Sequence, residues 1–94
     1  MAFVSLSRYV REALTMAEYR KGSDFDCVVV FVPALPGCLT QGANLEEARS
    51  NLIDAIEVWV TAGLRAGEAP PPLNGCVLGV AAREPELVEA AACA

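Results

Sequence analysis

The chain predicts a two-layer α+β fold, a small antiparallel sheet with one long helix packed on one face and a short helix ahead of it, in the core order β-β-β-α-β. Three observations predict it. Phe25–Val32 is β-branched or aromatic almost throughout, which is strand composition. Leu45, Ala48, Leu52, Ala55, Ile56, Trp59 and Gly63 recur at three-and-four spacing, the stripe of a half-buried helix. Pro33–Gly37 and Pro70–Pro72 interrupt the chain on either side of that helix, where neither strand pairing nor helix can continue.

The elements follow in order. Leu6, Tyr9, Val10 and Ala13 share one helical face, and Ser5 or Ser7 supplies a cap, so the spacing predicts a short helix over 5–13. Leu14 to Arg20 alternates imperfectly and reads as a strand, with continuation of the helix as the alternative; Lys21–Asp24 is turn chemistry. Cys27–Val32 is apolar on both faces, and a strand of that kind is covered on both faces. One helix covers one face. The other, formed by Cys27, Val29 and Phe31 or by Val28, Val30 and Val32, then needs a second cover, and a subunit interface supplies it. Val28, Val30 and Val32 are the set assigned to that interface, in a dimer or tetramer.

Pro36-Gly37 has the order that a type II turn prefers. Cys38–Gln41 returns as a short strand, and Gly42 and Ala43 lead to Asn44. Asn44 is a good helix N-cap, Glu47 is placed to reach back to the Asn44 amide, and Glu46 and Glu47 favour the positive helix end. The helix ends near Arg65–Gly67. The proline run is a stiff connection to a last strand over 76–80, and 85–92 has the pattern of a short acidic helix. The whole reads as one domain, 1–94, with its core over about 14–80 and an acidic tail over 81–94.

Composition removes several function classes. The net charge is −5, and the seven Lys and Arg residues are scattered, so direct nucleic-acid binding by this chain is not expected. There is no histidine, which removes the commonest general base and metal ligand together. No CxxC pair, GxSxG elbow or phosphate-binding loop is present. Of the carboxylates, Asp24, Asp26, Glu47, Asp54 and Glu57 were weighed as a metal-dependent nuclease site, but the helical ones fall on a solvated face. No enzyme activity, metal or cofactor is expected. Four cysteines without a pairing pattern suit buried thiols and a cytoplasmic setting, and neither a signal peptide nor a membrane span is expected. Fifty-four per cent hydrophobic residues is more than a thin core easily hides, which again points to a protein partner or a second copy.

Leu35-Pro36-Gly37-Cys38, Thr40-Gln41-Gly42 and Leu45-Glu46-Glu47-Ala48, preceded by an apolar strand and followed by the helix to Trp59, resemble in order and spacing the HicB antitoxin family. Pro70–Pro72 resembles the proline segment before that family's last strand. The resemblance covers about 14–80. It implies a partial ribonuclease H-like fold and a non-enzymatic role: binding and blocking a small basic HicA-like toxin, an mRNA-cleaving ribonuclease. It also implies oligomers. The chain departs from the longer family members in that 81–94 is too short and too acidic for a DNA-binding module, as in a shorter stand-alone subgroup. The alternative reading is an orphan oligomeric HicB-like domain with some other regulatory or ligand-binding task and no toxin partner. The surface assigned to a partner is Leu35, Pro36, Cys38, Thr40 and Gln41 with Glu46 and Glu47, although turn geometry accounts for Pro36 and capping for Glu47 just as well.

Overall fold

The computed structural model describes residues 2–21 and 27–79. Seven elements follow one another: β1 (Ala2–Val4), α1 (Leu6–Thr15), β2 (Glu18–Lys21), β3 (Val28–Phe31), β4 (Leu39–Gly42), α2 (Leu45–Arg65) and β5 (Cys76–Leu78). β2, β3 and β4 form an antiparallel sheet in that order, and α2 packs on β3 and β4. The expected mixed architecture, a small antiparallel sheet under a long helix with a short helix before it, is observed, with three strands in that sheet.

Three local expectations change. α1 runs to Thr15, so the strand expected from Leu14 begins only at Glu18. Leu14 and Met16 do not alternate across a sheet; both pack on the core from the last turn of α1, where the Met16 amide donates to the Ala13 carbonyl at 3.0 Å. The last strand does not join the sheet. β5 pairs instead, in parallel, with β1, aligning Ala2 with Cys76 and Val4 with Leu78. Parallel neighbours need a long crossover, and here it consists of everything between them. Of the turn expected over 21–24, Lys21 is the last residue of β2, and 22–24, the carboxylates Asp24 and Asp26, and the tail over 81–94 lie outside the described residues.

α2 is set by its ends and its stripe. The Glu47 amide donates to Asn44 Oδ1 at 2.8 Å, and the Glu47 carboxylate accepts from the Ala43 amide at 3.2 Å, one residue before the amide expected from the capping pattern. At the other end Gly67 has φ +81°, and the Glu68 amide donates to the Gly63 carbonyl at 2.8 Å, which closes the last turn in a Schellman geometry. Between them Ala48, Leu52, Ile56 and Val60 are fully buried at four-residue spacing. They meet Val30 and Val32 from the sheet side and Tyr9, Val10 and Ala13 from α1. The Tyr9 hydroxyl donates to the Pro71 carbonyl at 2.6 Å and so ties the proline segment across α1. Burial pushes the Tyr9 pKa up to about 12.

The sheet has two unlike faces. Register places Tyr19, Val30 and Thr40 side by side on one, and Glu18, Phe31 and Leu39 on the other. Val30 and Val32 are buried beneath α2, and Val28 packs against the same core. The assignment of Val28, Val30 and Val32 to an oligomer interface is therefore corrected: α2 already occupies their face. Among the described residues, the face opposite α2 carries Val29 and Phe31, both half-buried.

Candidate functional site

An open groove of about 1110 Å³ runs along the seam between β4 and the second half of α2. Three pieces of chain build it. The Pro36–Cys38 turn and the strand residues Leu39 and Thr40 form one side. Asn51, Asp54, Ala55, Val58, Trp59 and Ala62 of α2 form the other, and Glu68–Pro70 closes one end.

Two side-chain bonds fix its geometry. Trp59 Nε1 donates to the Pro36 carbonyl at 2.9 Å and pins the turn to the helix. Asn51 Nδ2 donates to the Gln41 carbonyl at 2.8 Å, satisfying an acceptor on the outer edge of β4. With the turn held, Leu39 projects at 61% exposure and Val58 at 68%, two large apolar side chains in water at the groove. Asp54 and Glu68 stand on its rim. Asp54 and Val58 also border a second depression on the far side of the helix ridge, together with Glu57 and Arg65. The site is thus an apolar seam with carboxylates around it.

The groove combines apolar side chains, carboxylates and one thiol. Cys38 lines the groove but is 3% exposed, and burial pushes its thiol pKa up, away from the reactive thiolate. Among the described residues, no group of three or more Cys, Asp or Glu side chains is placed to hold a metal ion.

The residues proposed from the sequence divide. Pro36, Cys38 and Thr40 line the groove. Leu35 does not reach a surface; it is fully buried in the core, where its apolar side chain belongs. Gln41 is exposed and contributes its backbone carbonyl to the Asn51 bond. Glu46 and Glu47 are exposed on the first turn of α2, outside the groove lining, and Glu47 is engaged in capping. The sequence reading passed over Asn51, Val58 and Glu68. Val58 carried a usable signal: a valine among Asp54, Glu57 and Thr61 interrupts an otherwise polar helix face.

The described geometry coincides with a family match. The UPF0150-like family model aligns with residues 8–71. The chain belongs to the UPF0150-like family. A UPF0150 protein of Thermoplasma acidophilum is 44% identical over 46 residues, which is 49% of this chain and 67% of the relative. A Thermus thermophilus protein of known crystal structure is 40% identical, superposes with a TM-score of 0.67, and shares 72% of this chain and 84% of its own. The UPF0150-like region contains α1, the three-stranded sheet, α2 and every element of the groove, while the β1–β5 pair lies beyond it.

Proposed function

We propose that this UPF0150-like protein is a HicB-like antitoxin: a non-enzymatic cytoplasmic protein that binds and neutralises a small basic HicA-like mRNA interferase. The sheet and α2 are read as a partial ribonuclease H-like layer retained as a binding scaffold. The observation that carries the reading is the groove itself. Its exposed apolar pair, Leu39 and Val58, sits beside Asp54, Glu57 and Glu68 on a chain of net charge −5. A desolvated apolar centre supplies affinity, and the acidic rim steers a cationic partner and fixes its register.

The test is co-expression with the product of an adjacent short reading frame that encodes a basic protein with a histidine. A stable complex and relief of growth arrest are expected. Asp54→Lys with Glu68→Lys lowers the affinity at least about tenfold, because like charges across an interface cost several kcal/mol. A neighbour that neither binds nor arrests growth overturns the antitoxin reading and leaves an orphan oligomeric domain.

A further inference from the structure

Positive charge collects where α1 meets the start of α2. Three of the chain's seven Lys and Arg residues, Arg8 and Arg11 of α1 and Arg49 of α2, line one depression of about 370 Å³ with Glu12, Leu14 and Thr15. Arg8 and Arg11 are three residues apart on α1 and so share a helical face. All three arginines are exposed, and the half-buried Leu14 forms the apolar part of the lining.

These charges are not balanced locally. Glu12 is the one carboxylate in the lining, and it is shared. Arg8 Nε lies 3.7 Å from it, and Asn74 Nδ2 donates to its other oxygen at 3.2 Å. Among the described residues, neither Arg11 nor Arg49 has an ion-pair partner. Guanidiniums brought together repel one another until an anion sits between them, and their planar forks fit carboxylate or phosphate. A free anion has to approach a chain of net charge −5, which lowers its local concentration. An anionic segment of the same chain does not, because a short tether holds it at an effective concentration of about millimolar.

The sequence places such a segment within reach. β5 packs on α1, and at Gly79 a Cβ would lie 3.0 Å from the Val4 carbonyl oxygen. Val4 precedes Ser5, the cap of α1, and Arg8 and Arg11 follow within about 9 Å of helix rise. Beyond Gly79 the sequence carries Glu84, Glu86 and Glu89, with Arg83 as its one cation. The five residues from Gly79 to Glu84 span up to about 17 Å, enough to cover that distance. We infer that the acidic segment 84–89 docks on the Arg8–Arg11–Arg49 depression of its own chain. The inference does not rest on the antitoxin reading, since the groove is lined by β4 and the second half of α2 and shares no residue with this depression.

The experiment is limited chymotrypsin digestion of the folded full chain. Cleavage after Leu87 is read by mass spectrometry against the free peptide 80–94, with circular dichroism to confirm the fold of each variant. Wild type is expected to be cut at Leu87 at least about tenfold more slowly than the peptide, because cleavage follows the undocked population. Sodium chloride at about 1 M is expected to remove most of that protection by screening. Arg11→Glu with Arg49→Glu, both at exposed positions, raises cleavage at least about fivefold. Adding Glu86→Arg and Glu89→Arg restores protection to within about twofold of wild type, which a merely structural role of the arginines does not produce. Protection is expected to be the same from about 1 to 50 μM, as a contact within one chain requires. Cleavage of wild type at the peptide's rate overturns the inference, as does protection that survives salt or rises with concentration. Arginine exchanges without effect, or a charge swap that fails to rescue, do the same. Inorganic pyrophosphate is the competing probe: if calorimetry finds it bound while Leu87 stays protected, the depression takes a free anion and the inference fails. Loss of partner binding with Leu87 protection intact sinks the antitoxin reading alone.

Discussion

Gly42 ends β4 immediately before the turn into α2, and its backbone is not in the left-handed region that favours glycine. The reason for glycine is space. A Cβ built there lies 2.4 Å from the Ala48 amide nitrogen and 2.8 Å from both the Ala48 Cα and the Glu47 carbonyl carbon. All three are backbone atoms of the first helical turn, so no side chain can swing aside. Gly42→Ala therefore has to push β4 and α2 apart by roughly 1 Å to reach ordinary carbon contact of about 3.5 Å or more. That shift loosens the Asn51–Gln41 bond and the Glu47–Ala43 bond, which hold the same corner. Overpacking of a tight site costs about 1–3 kcal/mol. The stiffer unfolded chain favours the folded state by about 0.4–1 kcal/mol, which offsets part of that loss. A net destabilisation of about 1–2 kcal/mol is expected, read as a fall in Tm of about 4–16 °C for a domain of this size. Thermal unfolding followed by circular dichroism measures it, and urea unfolding at constant slope separates a stability loss from a change in compactness. Gly37→Ala is the comparison: it has open space but a φ of +83°, so only the backbone penalty of about 1 kcal/mol applies. A Gly42→Ala protein within about 0.5 kcal/mol of wild type would refute the close-approach argument.

Tyr9→Phe removes the donor to the Pro71 carbonyl and is expected to cost about 1–2 kcal/mol in urea unfolding. The pH dependence of wild type has a definite sign. Because the folded Tyr9 pKa is raised from 10 to about 12, its contribution is complete below pH 10 and is lost as pH rises through 12; alkaline unfolding titrations of wild type and Tyr9→Phe should diverge over that window. Trp59→Phe leaves the Pro36 carbonyl without its partner and should cost about 1 kcal/mol, while the emission of Trp59, the one tryptophan in the chain, should shift when a partner fills the groove. Val58→Glu is exposed enough to change folding stability by less than about 0.5 kcal/mol, yet should weaken binding of the proposed basic partner in a titration by tenfold or more.

What the sequence disclosed depended on the range of the interactions involved. α2 was legible from end to end because its cap, stripe and stop are all encoded within a few residues of one another: Asn44 and Glu47 at the start, Leu52, Ile56 and Val60 in the middle, Gly67 at the close. β3 and β4 were legible for the same reason, with the Pro36-Gly37 turn between them. The β1–β5 pair was not. It joins Ala2 to Cys76 across nearly the whole described chain, and a three-residue strand has too little pattern to declare a distant partner. Its one local clue is Asn74-Gly75, both at positive φ, where the Leu73 and Cys76 amides and carbonyls bond each other at 2.7–2.9 Å and turn the chain into β5.

The orientation of β3 shows why an apolar strand identifies a need without saying which face has it. Alternation ordinarily settles the question, because the polar set faces water. Here Val28, Val29, Val30 and Phe31 are equivalent in hydropathy, so the inner set is chosen by β4 and α2: Gly42 opposite Val28 lets the helix backbone approach that side and no other. Once α2 is seated on Val30, Phe31 and Leu39 necessarily share the opposite face. The glycine that draws the helix in therefore also decides which apolar residues are left on the outer face, while the groove opens along the seam between β4 and α2.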